Sequence, residues 1–214
     1  MSLKNRLIEV TNQMQEIILR QPGVKPMDTE DFGWENYRWS GDKFRLAHIE
    51  RFFEAGLLVA HVTCFPHEGD AAPIFGFDVV GSEKTGKIGG AFLDYSPVLY
   101  DIKWHDTEWN SDRILPEWAT VFSDDFIALR PHEDEYEPFF ELSLTKFEEY
   151  FNALDTSVHV DTPAAKALVI ERQNEYCEKQ ASNPRTYAAL KHKIGAERAR
   201  YFMTEILFPK IVSI

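Results

Sequence analysis

The stretch LLVAHVTCFPHEGDAAPIFGFDVV, residues 57–80, holds two β-rich runs joined by a short polar loop, PHEGDAA. That arrangement predicts a β-hairpin. In the first run, strand alternation puts Val59, His61, Thr63 and Phe65 on one face and Leu58, Ala60, Val62 and Cys64 on the other. In the second, Ile74, Gly76, Asp78 and Val80 share a side, with Phe75, Phe77 and Val79 opposite. His61 and Asp78 stand where hydrophobes are expected, and pairing of the two runs lets them share one face. Gly76 leaves room for something to approach the sheet.

Outward from this hairpin the pattern stays strand-like over a region from Phe32 to about Arg130. YRWSGDKFRL (37–46), KIGGAFLDY (87–95) and TVFSDDFIALR (120–130) read as further strands of an antiparallel meander, and GSEKTGK (81–87) as a hairpin turn. The segment Pro97 to Pro116 reads as a long loop rich in Trp, Asp and Tyr. Helical periodicity flanks the strands. Leu3, Leu7, Val10, Met14, Ile17 and Ile18 predict an amphipathic helix over residues 2–20, ended by Gly23 and Pro26. After residue 140, Phe147, Tyr150, Phe151 and Leu154 form one stripe. Thr162-Pro163 reads as the N-cap and first turn of the next helix, and a last helix is expected from about Arg185 to Leu207. Helix, strands, then helices is the order of an α+β domain with helices covering a mainly antiparallel sheet, read as one domain over residues 1–214.

At 214 residues and 44% hydrophobic content the chain can bury a full core. Lys and Arg number 23 against 35 Asp and Glu, a net charge of -12, which argues against nucleic-acid binding. Cys64 and Cys177 form no CxxC motif, pointing to a reducing compartment and a cytoplasmic protein. The start, MSLKNRLIEVTNQMQEIILR, lacks the apolar core of a signal peptide, and no run reaches membrane-spanning length. The seven histidines are dispersed, without HExxH or comparable spacing, so no metal is expected. No GxGxxG or GxSxG occurs, and GSEKTGKI ends in Ile88 where a phosphate loop needs Ser or Thr. Redox or group chemistry would therefore arrive with a substrate or partner. From Asn183 onward, Arg185, Lys191, Lys193, Arg198, Arg200 and Lys210 outnumber Glu197 and Glu205, which suggests a basic face for an acidic partner.

Two readings of His61 and Asp78 stay open at this level. They are core polar groups bonded to each other, or an acid/base pair facing a ligand. Asp94 reads as a more ordinary strand-end acid.

AHIE, HVTCFP, APIFGFDVV and FLDYSP, in that order and at these separations, with AERARYFMTEILF near the end, resemble the ferredoxin-dependent bilin reductases. The resemblance covers about Glu35 to Phe208. It implies a three-layer α/β/α sandwich with a central antiparallel β-sheet. It also implies reduction of biliverdin IXα by single electrons from reduced ferredoxin, an external [2Fe-2S] protein, with no bound metal or flavin. By resemblance, Asp78 falls at the family's central proton-donating aspartate, His61 at the histidine of the phycocyanobilin-forming members, and Glu50 at a glutamate near the D-ring vinyl group. The interval from Glu50 to His61 is one residue shorter than theirs. Arg130 in ALRP and Arg185 in NPRT match positions that hold the bilin propionates, with Asn183 a further substrate-binding candidate. Pro184 stands where many relatives have a second aspartate, which leaves the donor to the A-ring open.

The resemblance thus implies an enzyme whose Asp78 protonates the bilin while His61 shares or relays that proton, with ferredoxin docking on the basic C-terminal face of a monomer. Burial is expected to raise the Asp78 pKa, while His61 is expected to donate without such help. Glu50 and His61 favour phycocyanobilin as product. The short chain and the missing second aspartate look more like phage-borne relatives that make phycoerythrobilin, the product slightly preferred. A bilin carrier or chromophore lyase, or a non-catalytic interaction protein, is the rival reading.

Overall fold

The computed structural model describes residues 1–99, 103–114 and 120–212. Helix α1 (Leu3–Leu19) starts where the Ser2 side chain accepts a hydrogen bond from the Asn5 amide at 3.3 Å. Leu3, Leu7, Val10, Met14, Ile17 and Ile18 are its buried stripe, as the periodicity predicts. The strands β1 (Lys25–Pro26), β2 (Glu35–Ser40), β3 (Phe44–Glu54), β4 (Leu57–Pro66), β5 (Ile74–Ser82), β6 (Lys87–Ser96) and β7 (Ile127–Leu129) form one antiparallel sheet among the described residues, in chain order from β1 to β7. Helices α2 (Tyr136–Thr156), α3 (Pro163–Ala181), α4 (Pro184–Ile194) and α5 (Ala196–Tyr201) follow, and α5 runs into a π-helical turn at Phe202–Leu207.

Strand alternation divides the core in two. Leu58, Ala60, Val62 and Cys64 of β4, with Phe75, Phe77 and Val79 of β5, pack under α1 and the Phe139, Phe140, Phe147 and Tyr150 stripe of α2. On the opposite face Leu46, Phe52, Phe65 and Ile74 meet Tyr176, Leu190, Phe202 and Ile206 of the later helices. The layers are helix, sheet, helix, the expected α/β/α sandwich. The face under α1 and α2 is tightly filled and apolar except for Arg51, which donates to Thr11 and Asn12 of α1. The other carries His48, Glu50, His61, Thr63, Asp78 and Asp94.

Several boundaries differ from the sequence reading. The run 37–46 spans a tight turn between β2 and β3, closed by the Gly41 amide on the Phe44 carbonyl at 3.1 Å. β3 then continues to Glu54 and meets β4 through Ala55 (φ 50°) and Gly56 (φ 84°), the doubly positive backbone of a two-residue hairpin turn, unusual in accepting Ala at its first position. The run 120–130 contracts to the three residues of β7, because Phe126 turns back on Ser123 and Ser123 is tied to Asp94. Helix α2 begins at Tyr136, earlier than the periodicity after residue 140 indicates. The last helix is broken at Gly195 (φ 83°), where a left-handed residue ends α4 and reverses the chain into α5. Thr162 caps α3 by accepting from the Ala165 amide, with Pro163 in its first turn, as expected. Pro116, the expected end of the long loop, lies outside the described residues.

Tyr150 links the helical layer to the sheet. Its buried hydroxyl shares one proton between the carbonyls of Cys64 (3.1 Å) and Pro73 (3.0 Å). Tyr150→Phe is expected to lower the unfolding free energy by about 1–3 kcal/mol, read from urea midpoints, because both carbonyls lose their donor in a dry environment.

Candidate active site

Cross-strand pairing writes two polar rows across the face turned toward α3, α4 and α5. In the first, Asn36 pairs with Glu50, Glu50 with His61, His61 with Asp78 and Asp78 with Phe92. In the second, one pleat repeat away, Arg38 pairs with His48, His48 with Thr63, Thr63 with Gly76 and Gly76 with Asp94. The hairpin read from residues 57–80 thus delivers His61 and Asp78 as direct partners, and Glu50 joins them from β3.

These rows collect buried polar atoms that have no hydrogen-bond partner among the described residues: Asn36 Nδ2, Arg38 Nε, His48 Nδ1, His61 Nε2, Thr63 Oγ1 and Asp78 Oδ1. Each such group costs roughly 1–3 kcal/mol, so a face that gathers six of them is built for something other than stability. His61 and Asp78 are not bonded to each other among the described residues, against the purely structural reading of the pair. Over Gly76 the Tyr176 hydroxyl stands close to the sheet, within ordinary contact distance (3.5 Å) of where a Cβ would lie.

Burial sets the protonation states. It pushes the Asp78 carboxyl up to about 7. Glu50 rises to about 8 through burial and the nearby Asp78 charge, partly offset by a hydrogen bond from the Trp34 indole at 2.9 Å. His61 falls to about 4 and His48 well below its ordinary value, both from burial, with His61 a further cause for His48. The His48 and His61 rings lie 6.0 Å apart between centroids, and Phe208 packs edge-on against His61 at 5.9 Å. Near neutral pH the imidazoles are therefore neutral, Glu50 is mostly protonated and Asp78 is near its midpoint. The expectation that His61 donates without help from its surroundings is corrected: burial lowers its pKa to about 4, because a desolvated ring does not hold the extra charge.

Asp94 is also more than a strand-end acid. It is buried, accepts from Ser96 Oγ and from the Ser123 hydroxyl and amide, and so pins the segment before β7 to the sheet. Burial pushes its pKa up to about 6 against those hydrogen bonds.

Beyond Phe92 the row ends in positive charge. The Arg113 guanidinium lies 5.5 Å from the Phe92 ring and has its pKa lowered by burial and by the charges of Arg185 and Arg130. Among the described residues no salt bridge engages any of these three arginines. Arg130 and Arg185, the two arginines expected to hold propionates, are exposed and lie close enough to Arg113, a third with no motif around it, to lower its pKa. Asn183 caps α4, its side chain accepting from the Arg185 amide at 3.0 Å, with Pro184 in the first turn. Toward the C-terminus Lys193 of α4, Arg198 of α5 and Lys210 beyond the last turn are paired with Glu54, Glu30 and Glu178. Among the described residues no group of three or more His, Cys, Asp or Glu is arranged to hold a metal, and no helix is long and apolar enough to cross a membrane.

His48, Arg38 and Asn36 were missed from sequence. His48 was legible, since it precedes Glu50 by two in AHIE and must share its face. Arg38 and Asn36 depend on the register of β2 against β3.

Residues 8–209 match the family model of the ferredoxin-dependent bilin reductases. The chain belongs to this family. Among relatives of this bilin reductase, the phycocyanobilin:ferredoxin oxidoreductase of Trichodesmium erythraeum (strain IMS101) is 26% identical over 225 residues, covering 94% of this chain and 91% of that protein. Two solved structures share its fold. PcyX superposes with a TM-score of 0.69 at 23% identity, covering 96% of this chain and 99% of the other. Tomato phytochromobilin synthase, in complex with biliverdin, gives 0.73 at 15% identity, covering 93% and 81%.

A raised carboxyl pKa means that the folded state keeps a proton the unfolded chain has released, so stability falls as pH rises from the ordinary carboxylate range to the folded value. Asp78→Asn removes one such group. In urea unfolding from pH 3 to 8, the stability of the variant relative to the parent protein is expected to climb between about pH 4 and 7, by on the order of 4 kcal/mol, and to level off above that.

Proposed function

We propose that this bilin reductase takes electrons singly from reduced ferredoxin into biliverdin IXα, with the Glu50–His61–Asp78 row supplying the protons. The observation that carries the reading is that row: two carboxyls whose pKa burial raises into the neutral range flank a neutral imidazole, with His61 Nε2 and Asp78 Oδ1 unpartnered among the described residues. A conjugated tetrapyrrole accepts an electron more readily when a proton arrives with it, because negative charge does not then build up in a dry pocket. Asp78 is assigned as the donor to the bilin, His61 as the neutral group that passes a proton along the row, and Glu50 as a second donor. Propionate binding is assigned to Arg113, Arg130 and Arg185, whose charges lack acidic partners among the described residues.

Phycoerythrobilin is the product we favour, on the strength of Pro184 in place of a second aspartate. Phycocyanobilin is the second reading, favoured by the names of the curated relatives and by the presence of Glu50 beside His61. Ferredoxin is proposed to dock on the C-terminal helices, where Arg185, Lys191 and Arg200 have no salt bridge among the described residues. Because the overall charge of -12 opposes an acidic partner, this basic face must outweigh it locally, and salt screens that local attraction: turnover is expected to fall as salt rises from 50 to 500 mM, and a salt-independent rate would remove this docking face.

The test is anaerobic incubation with biliverdin IXα, ferredoxin and a ferredoxin reductase, followed by absorbance and chromatography. A phycobilin is expected, and its retention time names the product; stable binding without conversion would instead favour a carrier. Asp78→Asn is expected to bind biliverdin but lose turnover by 100-fold or more. Arg113→Ala is expected to weaken biliverdin binding roughly 10-fold or more with a smaller effect on the bound substrate's rate.

A further inference from the structure

Trp34 enters the site from just ahead of β2. Its indole is held among Phe32, Phe52 and Phe202, with ring centroids 5.6, 5.0 and 5.1 Å away. Phe32 is fixed in turn by Phe202 at 4.7 Å and by the Arg198 guanidinium at 5.0 Å, and Arg198 is paired with Glu30. From this cage the indole Nε1–H donates to Glu50 Oε1 at 2.9 Å. Glu50 is 5% exposed, and among the described residues no hydrogen bond is made to its other oxygen, Oε2.

An indole nitrogen donates and cannot accept, and of the two oxygens of a protonated carboxyl the carbonyl oxygen is the better acceptor. The bond from Trp34 therefore favours Oε1 as the accepting oxygen in both charge states of Glu50 and places the hydrogen of the acid on Oε2. The geometry points to Trp34 as a positioning residue that holds Glu50 in the polar row and makes Oε2 the oxygen through which its proton leaves and returns. This rests on the reading above that Glu50 belongs to the site. When the bilin gains an electron from ferredoxin, the O–H bond at Oε2 breaks and its proton moves to the reduced bilin. The charge left on the carboxylate is met by the indole N–H at Oε1, and solvent restores the proton afterwards. Without the indole the carboxyl is free to rotate, and its ionised form loses a charge-assisted hydrogen bond.

Trp34→Phe keeps most of the packing and removes the N–H. It is expected to leave the biliverdin Kd within about threefold and to lower the single-turnover rate about 10-fold or more, since a misplaced proton donor slows the step rather than the binding. In the 15N-Trp-labelled parent protein, the Trp34 indole resonance is expected to titrate with the Glu50 midpoint, near pH 8, and to stop doing so in Glu50→Gln. A Trp34 that serves packing alone, with no lasting bond to Glu50, would give neither result, and one that bonds Glu50 without positioning it would give the titration but not the slower rate at unchanged Kd. The proposal is overturned if that resonance does not titrate, or if Trp34→Phe turns over as fast as the parent while Glu50→Gln is slow. If Glu50→Gln itself turns over normally to the same product, what fails is the placing of Glu50 in the site. The resonance titration in the parent protein and Glu50→Gln decides the matter should Trp34→Phe not fold.

Discussion

Antiparallel pairing of β3, β4 and β5 is the constraint on which the rest depends. The same register that faces Ile49, Val62 and Phe77 into the core under α1 and α2 obliges Glu50, His61 and Asp78 to stand side by side on the other face. A slip of one residue would exchange the faces, burying the acids under α2 and exposing the aromatics, so the apolar core fixes the polar row. The site does not hold itself together. It is held by the hydrophobic layer behind it.

That division explains how the fold tolerates a costly face. Unpartnered atoms on His48, His61, Thr63 and Asp78 are each unfavourable, and the raised carboxyl pKa values record the same expense in another form. The opposite layer offsets it with close aromatic contacts, such as Phe75 against Phe147 at 4.6 Å, and with Tyr150 tied to the sheet. Burial thus does two jobs with one sheet: it stabilises on one side and, on the other, keeps acids protonated at a pH where they would ordinarily be ionised. A reductase that adds electrons to a conjugated system needs the second as much as the first.

Much of this was legible in the sequence because period two is a strong signal. The faces of 57–65 and 73–80 came out as read, and so did the Thr162-Pro163 helix start. What depends on long-range register was not legible. Asn36 and Arg38 reach the site through the pairing of β2 with β3, and Arg113 through a loop that has no periodicity. Asp94 looked ordinary because its partner Ser123 lies 29 residues on, and the break of the last helix turned on one left-handed glycine, Gly195. The charge state of His61 could not be read from its residue type, because burial outweighs the intrinsic basicity of the ring.

Infrared titration of the carboxyl groups tests the central claim most directly, because it sees the protons without relying on turnover. At pH 6.5 the account predicts protonated-carboxyl absorption from the sheet, part of it lost in Asp78→Asn and another part in Glu50→Gln. The two components should disappear on alkalinisation near pH 7 and pH 8. A spectrum in which both side chains are already ionised at pH 6 would contradict it, and the row would then be a cluster of charges rather than a store of protons.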